Sequence, residues 1–431
     1  MPGCLHGYRK IIIKNLPSDK TMHTLLQHTT LDCGLDIVHQ YTTSPVAYLG
    51  YVVKAGTRDE APEDDGMAHF IEHMNFKGTN RRRAYHISNG LERVGGDLNA
   101  FTNKQETVYC ATVLCGDIAR AADLLTDIVF HSTYPQREIE KETAVICDEI
   151  DSYRDSPAEA IFDEFESMLF AGHPLCRDIL GKPERLRSYT TADARRFADT
   201  FYRPDNATCY ILGNISFEKA VKMMERLWRG TTRPDGPLPT RQVPILRREP
   251  QLRRVNKETH QAHVVIGTQT YGGHDERRYP LLLLNNMLGG PGMNSRLNVC
   301  LREKTGLVYA ADSSLTTYTD AGWWCAYFGC DTHDTDRCLR LTNRILRRFI
   351  DERLSPKTLQ AAKKQLCGQI GIALDRNEDY AIAMGKTWAQ YATPYDPANL
   401  CRKIQEVTAE ALQETAAEVF DPERLTTLIY E

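Results

Sequence analysis

DDGMAHFIEHMNFKGT, residues 64–79, is the stretch on which the reading of this chain turns. Glu63, Asp64 and Asp65 supply the negative charge that suits a helix N-terminus, and the residues after Gly66 predict a helix carrying Met67 through His73. Residues four apart share a helix face, so His69 and His73 can converge on one ion while Glu72 stands beside them. A hydrolytic metal site needs ligands that leave one coordination position open, and a base that takes a proton from water. The order H-x-x-E-H offers both. Taken alone, the pentapeptide also fits two packing histidines and a solvent-facing glutamate in a chain with 13 histidines.

Working outward, Pro135 and the acids Glu138, Glu140 and Glu142 predict a long helix from about Pro135 through Glu149. Glu149 is a second carboxylate of suitable kind, and Glu142 lies two turns before it on the same face, where it can orient a ligand. Upstream, DCGLDIVHQYTTSPVAYLGYVVKAG (residues 32–56) reads as two β-rich runs around a Thr-Thr-Ser-Pro turn, a hairpin signal. Downstream, Ala84 to Val94 is helical, Asp97 to Leu114 is strand-like, and Asp117 to Phe130 is helical by its apolar spacing.

TTRPDGPLPTRQVP (residues 231–244) holds four prolines and a glycine and reads as a linker. Beyond it the pattern restarts. His263 to Thr270 and Trp323 to Cys330 are strand-like, Tyr279 to Leu288 and Arg337 to Ile350 are helical, and Pro356 opens a long helix as Pro135 does. IVFHSTYPQREIEKE (128–142) is echoed by RFIDERLSPKTLQAA (348–362). The expectation is an α+β chain of two homologous α/β-sandwich domains, each a mainly antiparallel sheet with helices packed on it, arising from an internal duplication. The expected bounds are an extension at 1–21, a metal-binding domain at 22–230, the linker at 231–244 and a second domain at 245–431.

The 431 residues exceed what one core usually supports, which agrees with two domains. The 53 basic and 57 acidic side chains leave a net charge of −4 with no long single-sign block, so a nucleic-acid partner is not expected. Thirteen cysteines without a C-x-x-C spacing argue against a disulfide framework and for a reducing compartment. The apolar run Ile11-Ile12-Ile13 is too short for a signal-peptide core or a membrane span, so a cytoplasmic location with no membrane partner is expected.

The stretch at 64–79, together with GGDLNAFTNKQETVY (95–109) and ETAVICDEI (142–150), resembles the inverzincin metallopeptidases of the pitrilysin and mitochondrial processing peptidase family. Their H-x-x-E-H reverses the H-E-x-x-H of zincins. The resemblance covers nearly the whole chain from about residue 25. It implies a zinc-dependent endopeptidase with one Zn2+ per chain, held by His69, His73 and Glu149, with Glu72 as general base and Glu142 as the supporting glutamate. It also implies that the strand around Leu98 to Thr102, with Asn99 and Ala100, receives an extended peptide as an added strand.

SRLNVCLREKTGLVY (295–309) resembles the family's second-domain motif, which implies that Arg302 and Tyr309 reach substrate near the metal. Apart from the resemblance these two are a surface arginine and a half-buried strand tyrosine. H-x-x-E-H does not recur after residue 73, so the second half is a non-metal copy. The chain is about half the length of the fused members, which implies paired chains enclosing a chamber, here a homodimer acting on peptide substrates. The contrasting expectation is a scaffold or peptide-binding subunit that has lost hydrolysis. A purely structural zinc site fits less well, because such sites usually close with four cysteine-rich ligands.

Overall fold

The computed structural model describes residues 26–243 and 249–431. The expected extension at 1–21 lies outside the described residues, as does Pro244 of the expected linker. Residues 231–243 run without helix or strand. No helix among the described residues is long and apolar enough to cross a membrane. Every cysteine of the described residues is a free thiol, as the missing C-x-x-C spacing suggests.

Eleven strands form two sheets among the described residues. The first holds β1 (Gln27–Thr30), β2 (Asp36–Tyr41), β3 (Val46–Val53), β4 (Asp97–Thr102), β5 (Thr107–Leu114) and β6 (Ala207–Gly213), in the order β1-β2-β6-β3-β5-β4. The second holds β7 (Leu252–Val255), β8 (Ala262–Thr270), β9 (Val308–Thr317), β10 (Gly322–Cys330) and β11 (Thr426–Tyr430), in the order β7-β11-β8-β10-β9. In the first sheet β2 and β6 run parallel and the other pairs antiparallel; in the second, β7 and β11 are parallel and the rest antiparallel. Apart from β1, the two sheets have one strand order and one set of pairing directions. A duplicated unit has that property, and the echoed segments fit it.

The hairpin expected between the first two β-rich runs does not form. β6, more than 150 residues later, inserts between β2 and β3 and pairs with both. All seven of its residues are buried, so a fully buried strand takes the middle of the sheet and displaces the local pairing.

Two compact units follow, but they are not the contiguous halves expected from the sequence. One comprises the described residues up to Cys147 with Ile179–Thr240 and Leu374–Tyr395; the other comprises Asp148–Asp178, the described part of Arg241–Ala373, and Asp396–Glu431. Each unit's sheet is covered on one face by a helix drawn from the other half of the sequence. Helix Asn377–Tyr391 repeats small and apolar residues at Ala381, Met384, Gly385, Trp388 and Ala389, a helical stripe that packs on Val38, Val52, Val108, Tyr210 and Leu212 of the first sheet. Gly385 is required there, because a Cβ would stand 2.4 Å from Tyr210 Cδ1. Helix Pro157–Leu169 presents Ile161, Phe165 and Leu169 to Val265, Trp323, Cys325 and Leu428 of the second sheet. Its buried Glu166 accepts hydrogen bonds from Trp323 Nε1, at 2.8 Å, and from the Tyr318 hydroxyl.

On the opposite face of the first sheet, His39 of β2 is fully buried beside Phe217. Burial pushes its imidazole down to about 4 from an ordinary 6.5, against the smaller opposing effects of the Ile215 backbone and Glu218. Between those values the unfolded chain binds a proton that the folded chain refuses. The stability contributed by neutral His39 is therefore complete above pH 6.5 and is lost as pH falls toward 4, about 3 kcal/mol in all. Thermal midpoints measured across that interval should drop with acid, and His39→Leu should flatten part of the slope. An identical slope in the variant would show that His39 is not its source.

Candidate metal centre

Helix Met67–Met74 owes its placement to both of its faces. Met67, Phe70, Ile71 and Met74 recur at helical spacing and pack in the core, with Phe70 edge-on to Tyr189 at 5.4 Å. The other face carries His69, Glu72 and His73. The helix begins at Gly66, whose φ of 89° is left-handed, and a Cβ there would stand 2.8 Å from the Cα of Gly181.

The acids expected to cap this helix do something else. Asp64 pairs with Arg196 at 2.5 Å and Asp65 with Lys182 at 3.1 Å. The carboxylate at the helix start is Glu60, which accepts from the backbone N–H groups of Gly66 (3.1 Å) and Ala68 (2.9 Å). After the last turn, Asn75 anchors the helix: its Nδ2 donates to the Tyr109 hydroxyl at 2.7 Å, and its Oδ1 accepts from the Tyr134 hydroxyl at 3.1 Å. All three of these side chains are buried.

The helix Gln136–Arg154 supplies the other carboxylates. Glu142 and Glu149 sit two turns apart on this unbroken helix, so its path sets how both approach the histidines. Ligand atoms of His69, His73 and Glu149 lie within 4.8 Å of one another, and the two imidazole rings are 4.5 Å apart, centre to centre. His69 is buried, His73 half-buried and Glu149 exposed, so the cluster reaches from the core to solvent.

Protonation favours a metal at this cluster. His73 Nδ1 lies 2.9 Å from Glu142 Oε1. Burial alone would raise the Glu142 carboxyl, but its contacts with His73 and with Lys77, whose Nζ is 2.7 Å from Oε2, hold it below the usual carboxylate range. An ionised carboxylate only accepts, so Nδ1 of His73 carries a proton toward Glu142, which leaves Nε2 as the ring atom that could serve a metal. Burial, helped by His73 and opposed by Glu142, pushes His69 down to about 3, which keeps it neutral as a ligand must be. Two imidazoles and a carboxylate, with a second carboxylate behind one imidazole, form a donor set that fits zinc.

Glu72 is buried and holds its own fixed position: the Thr102 hydroxyl donates to its Oε2 at 2.5 Å. Thr102 ends β4, and among the described residues β4 is the edge of the first sheet, paired only with β5. Asn99 is exposed on this strand, and its Oδ1 accepts from the N–H of Ala100 at 2.8 Å. The residues expected to meet an extended peptide therefore lie on an edge strand that ends beside Glu72.

Arg302 and Tyr309 belong to the second unit. Arg302 is exposed on a short π-helical segment, Asn298–Glu303. Tyr309 is not the half-buried strand residue expected from composition; it is 83% exposed. Ala310 pairs with Gly329 and Val308 with Cys330, so Tyr309 is the extra residue of a β-bulge, which turns its side chain out of the strand's alternation. The helix Arg278–Gly289 stands between β8 and β9 as Met67–Met74 stands between β3 and β4, and its sequence RYPLLLLNNMLG contains no histidine or acid.

Three supporting residues escape the sequence reading. Lys77 follows His73 by four, a helical spacing visible in the quoted stretch. Thr102 lies inside the quoted GGDLNAFT segment, but only the strand's path shows which side chain meets Glu72. Glu60 gives no local signal, since it caps the helix across a loop.

Comparison with known proteins gives the family. The family model described as Insulinase (Peptidase family M16) matches residues 36–183, and the one described as Peptidase M16 inactive domain matches residues 188–366. The uncharacterized zinc protease YmxG of Bacillus subtilis is 31% identical over 407 residues, covering 94% of this chain and 98% of its own. An uncharacterized zinc protease of Rickettsia felis is 31% identical over 375 residues, covering 86% of this chain and 89% of its own. Among solved structures, a protease from Helicobacter pylori superposes with a TM-score of 0.88 at 20% identity, over 95% of this chain and 100% of that one. A protein from Pseudomonas fluorescens described as a peptidase M16 inactive domain gives 0.87 at 18% identity, over 94% and 98%. With two family models in tandem and relatives matched along nearly their whole length, the chain belongs to peptidase family M16, the insulinase family, and its relatives carry the name zinc protease.

Proposed function

We propose that this chain is a zinc-dependent endopeptidase that hydrolyses extended peptides or unfolded leader segments, with one zinc ion per chain held by His69, His73 and Glu149. The observation that carries the reading is the convergence of those three donors within 4.8 Å beside a buried glutamate that is not one of them. When bound, zinc supplies Lewis acidity that makes water a better nucleophile and stabilises negative charge on a carbonyl oxygen.

The protein's own groups do the rest. Glu72, held by Thr102, takes the proton from the attacking water and returns it to the leaving amine. Glu142 fixes the His73 ring and its tautomer, and Lys77 keeps Glu142 charged. The edge of β4 binds the peptide backbone as an added strand, a mode that accepts many sequences. Arg302 and the outward Tyr309 act on substrate, Arg302 at a carbonyl or carboxylate and Tyr309 at the developing oxyanion. One chain bears both the metal set and this pair, which supports a homodimer over a heterodimer that divides them.

The description 'inactive domain', carried by one structural relative and by the second family model, favours a second reading in which the chain is a scaffold without hydrolysis. Purified protein incubated with a mixed peptide library, with and without chelator, separates the two when cut sites are read by mass spectrometry and metal is measured in parallel. The peptidase reading expects one zinc per chain and cleavage that chelation abolishes and added zinc restores. Stoichiometric zinc without cleavage, or protein purified free of zinc, would establish the scaffold.

A further inference from the structure

We infer that Thr102 is a positioning residue for Glu72 and that it ties the orientation of this base to the strand on which the peptide is seated. The inference rests on the peptidase reading and adds to it a residue whose hydroxyl does no chemistry itself. Thr102 is buried and is the last residue of β4, and its hydroxyl meets Glu72 Oε2 at 2.5 Å. A hydroxyl has a single proton. A carboxylate can only accept, so the short contact commits that proton to Glu72.

The neighbouring hydroxyl is committed elsewhere. Thr107, opposite Thr102 in the β4–β5 register, is fully buried, and its Oγ1 lies 3.0 Å from the carbonyl oxygen of Ala55, to which it donates. The two threonine oxygens are 3.4 Å apart. With both protons engaged, Thr107 cannot compete for Glu72, nor can Thr102 turn toward Thr107 without abandoning Glu72. The arrangement holds Glu72 Oε2 against the Thr102 hydroxyl.

The position of Thr102 gives this lock its meaning. Asn99 and Ala100, on the exposed edge, lie three and two residues before it on one strand. A peptide that pairs with β4 straightens and holds the strand whose last side chain orients the base. Occupancy of the edge and alignment of Glu72 are thus mechanically joined.

The test uses zinc-loaded full-length protein and two substitutions. Thr102→Val keeps the shape and removes the proton; Thr102→Ser keeps the proton and removes the methyl group. Valine is expected to lower kcat about 10- to 30-fold on a fluorogenic peptide with KM within about twofold and zinc content unchanged, and serine to restore kcat to within about threefold. A crystal structure of the valine variant should show the Glu72 carboxylate displaced or in two orientations, while serine retains the parental one. This readout needs no turnover, so it stands if the chain proves to be a scaffold. An unmoved Glu72 in the valine variant would overturn the inference. So would unchanged kcat in an active enzyme, or serine failing to rescue, since then the methyl packing is what matters.

Discussion

Glu72→Gln is expected to lower kcat/KM about 1,000-fold, within the span that a positioned acid–base group usually contributes, while one zinc per chain is retained. Glutamine has the shape of glutamate, and its carbonyl oxygen can still accept from the Thr102 hydroxyl, so neither the fold nor the edge strand is disturbed. An amide cannot take a proton from water at neutral pH. Because Glu72 stands outside the donor set of His69, His73 and Glu149, metal content should not follow activity. Steady-state kinetics on a fluorogenic peptide and elemental analysis of the same preparation give both quantities. Turnover at the parental rate would remove Glu72 from the mechanism, and loss of zinc would mean it is a ligand.

The second large effect concerns stability. Trp388→Ala should cost about 3–5 kcal/mol, the usual penalty for truncating a large buried aromatic residue. Trp388 is 7% exposed and sits in the stripe by which helix Asn377–Tyr391 covers the first sheet, with the His28 ring 4.3 Å away. The cost includes the cavity, which the neighbouring β-strands, already tied by hydrogen bonds, cannot close. Urea unfolding should show a lower midpoint than the parent. Ile372→Ala is the matched control, because Ile372 is 78% exposed and its truncation should leave the midpoint in place. Equal shifts for the two variants would mean that the helix contributes little through its packing.

The centre was legible in the chain because its chemistry is concentrated. His69, Glu72 and His73 lie within one helical turn, and Glu142 and Glu149 within two turns of another, so residue type and spacing nearly determine who faces whom. The duplicated architecture was legible for a similar reason, since apolar periodicity and proline placement repeat across the two halves. What escaped is non-local. No signal in residues 32–56 says that β6 will part β2 from β3. Nothing in the sequence of 157–169 or 377–391 names a partner, and only the sheets these helices cover reveal the exchange. Tyr309 looked half-buried because alternation was assumed, and one extra residue in β9 breaks alternation there. Asp64 and Asp65 looked like helix caps because they are adjacent in sequence, yet Arg196 and Lys182 offer them full opposite charges while Glu60 reaches the helix start.

Exchange of the covering helices also determines how the polypeptide can be divided. A piece ending before the proline-rich segment at 231–243 would carry the metal donors but leave the apolar face formed by Val38, Val52, Val108 and Leu212 wet, since its cover is encoded 140 residues later. The complementary piece would lack Ile161 and Phe165 over its own sheet. Opening the backbone in that segment after folding removes neither cover. The boundary most conspicuous in the sequence is therefore a tolerable site for a nick and a poor site for a truncation.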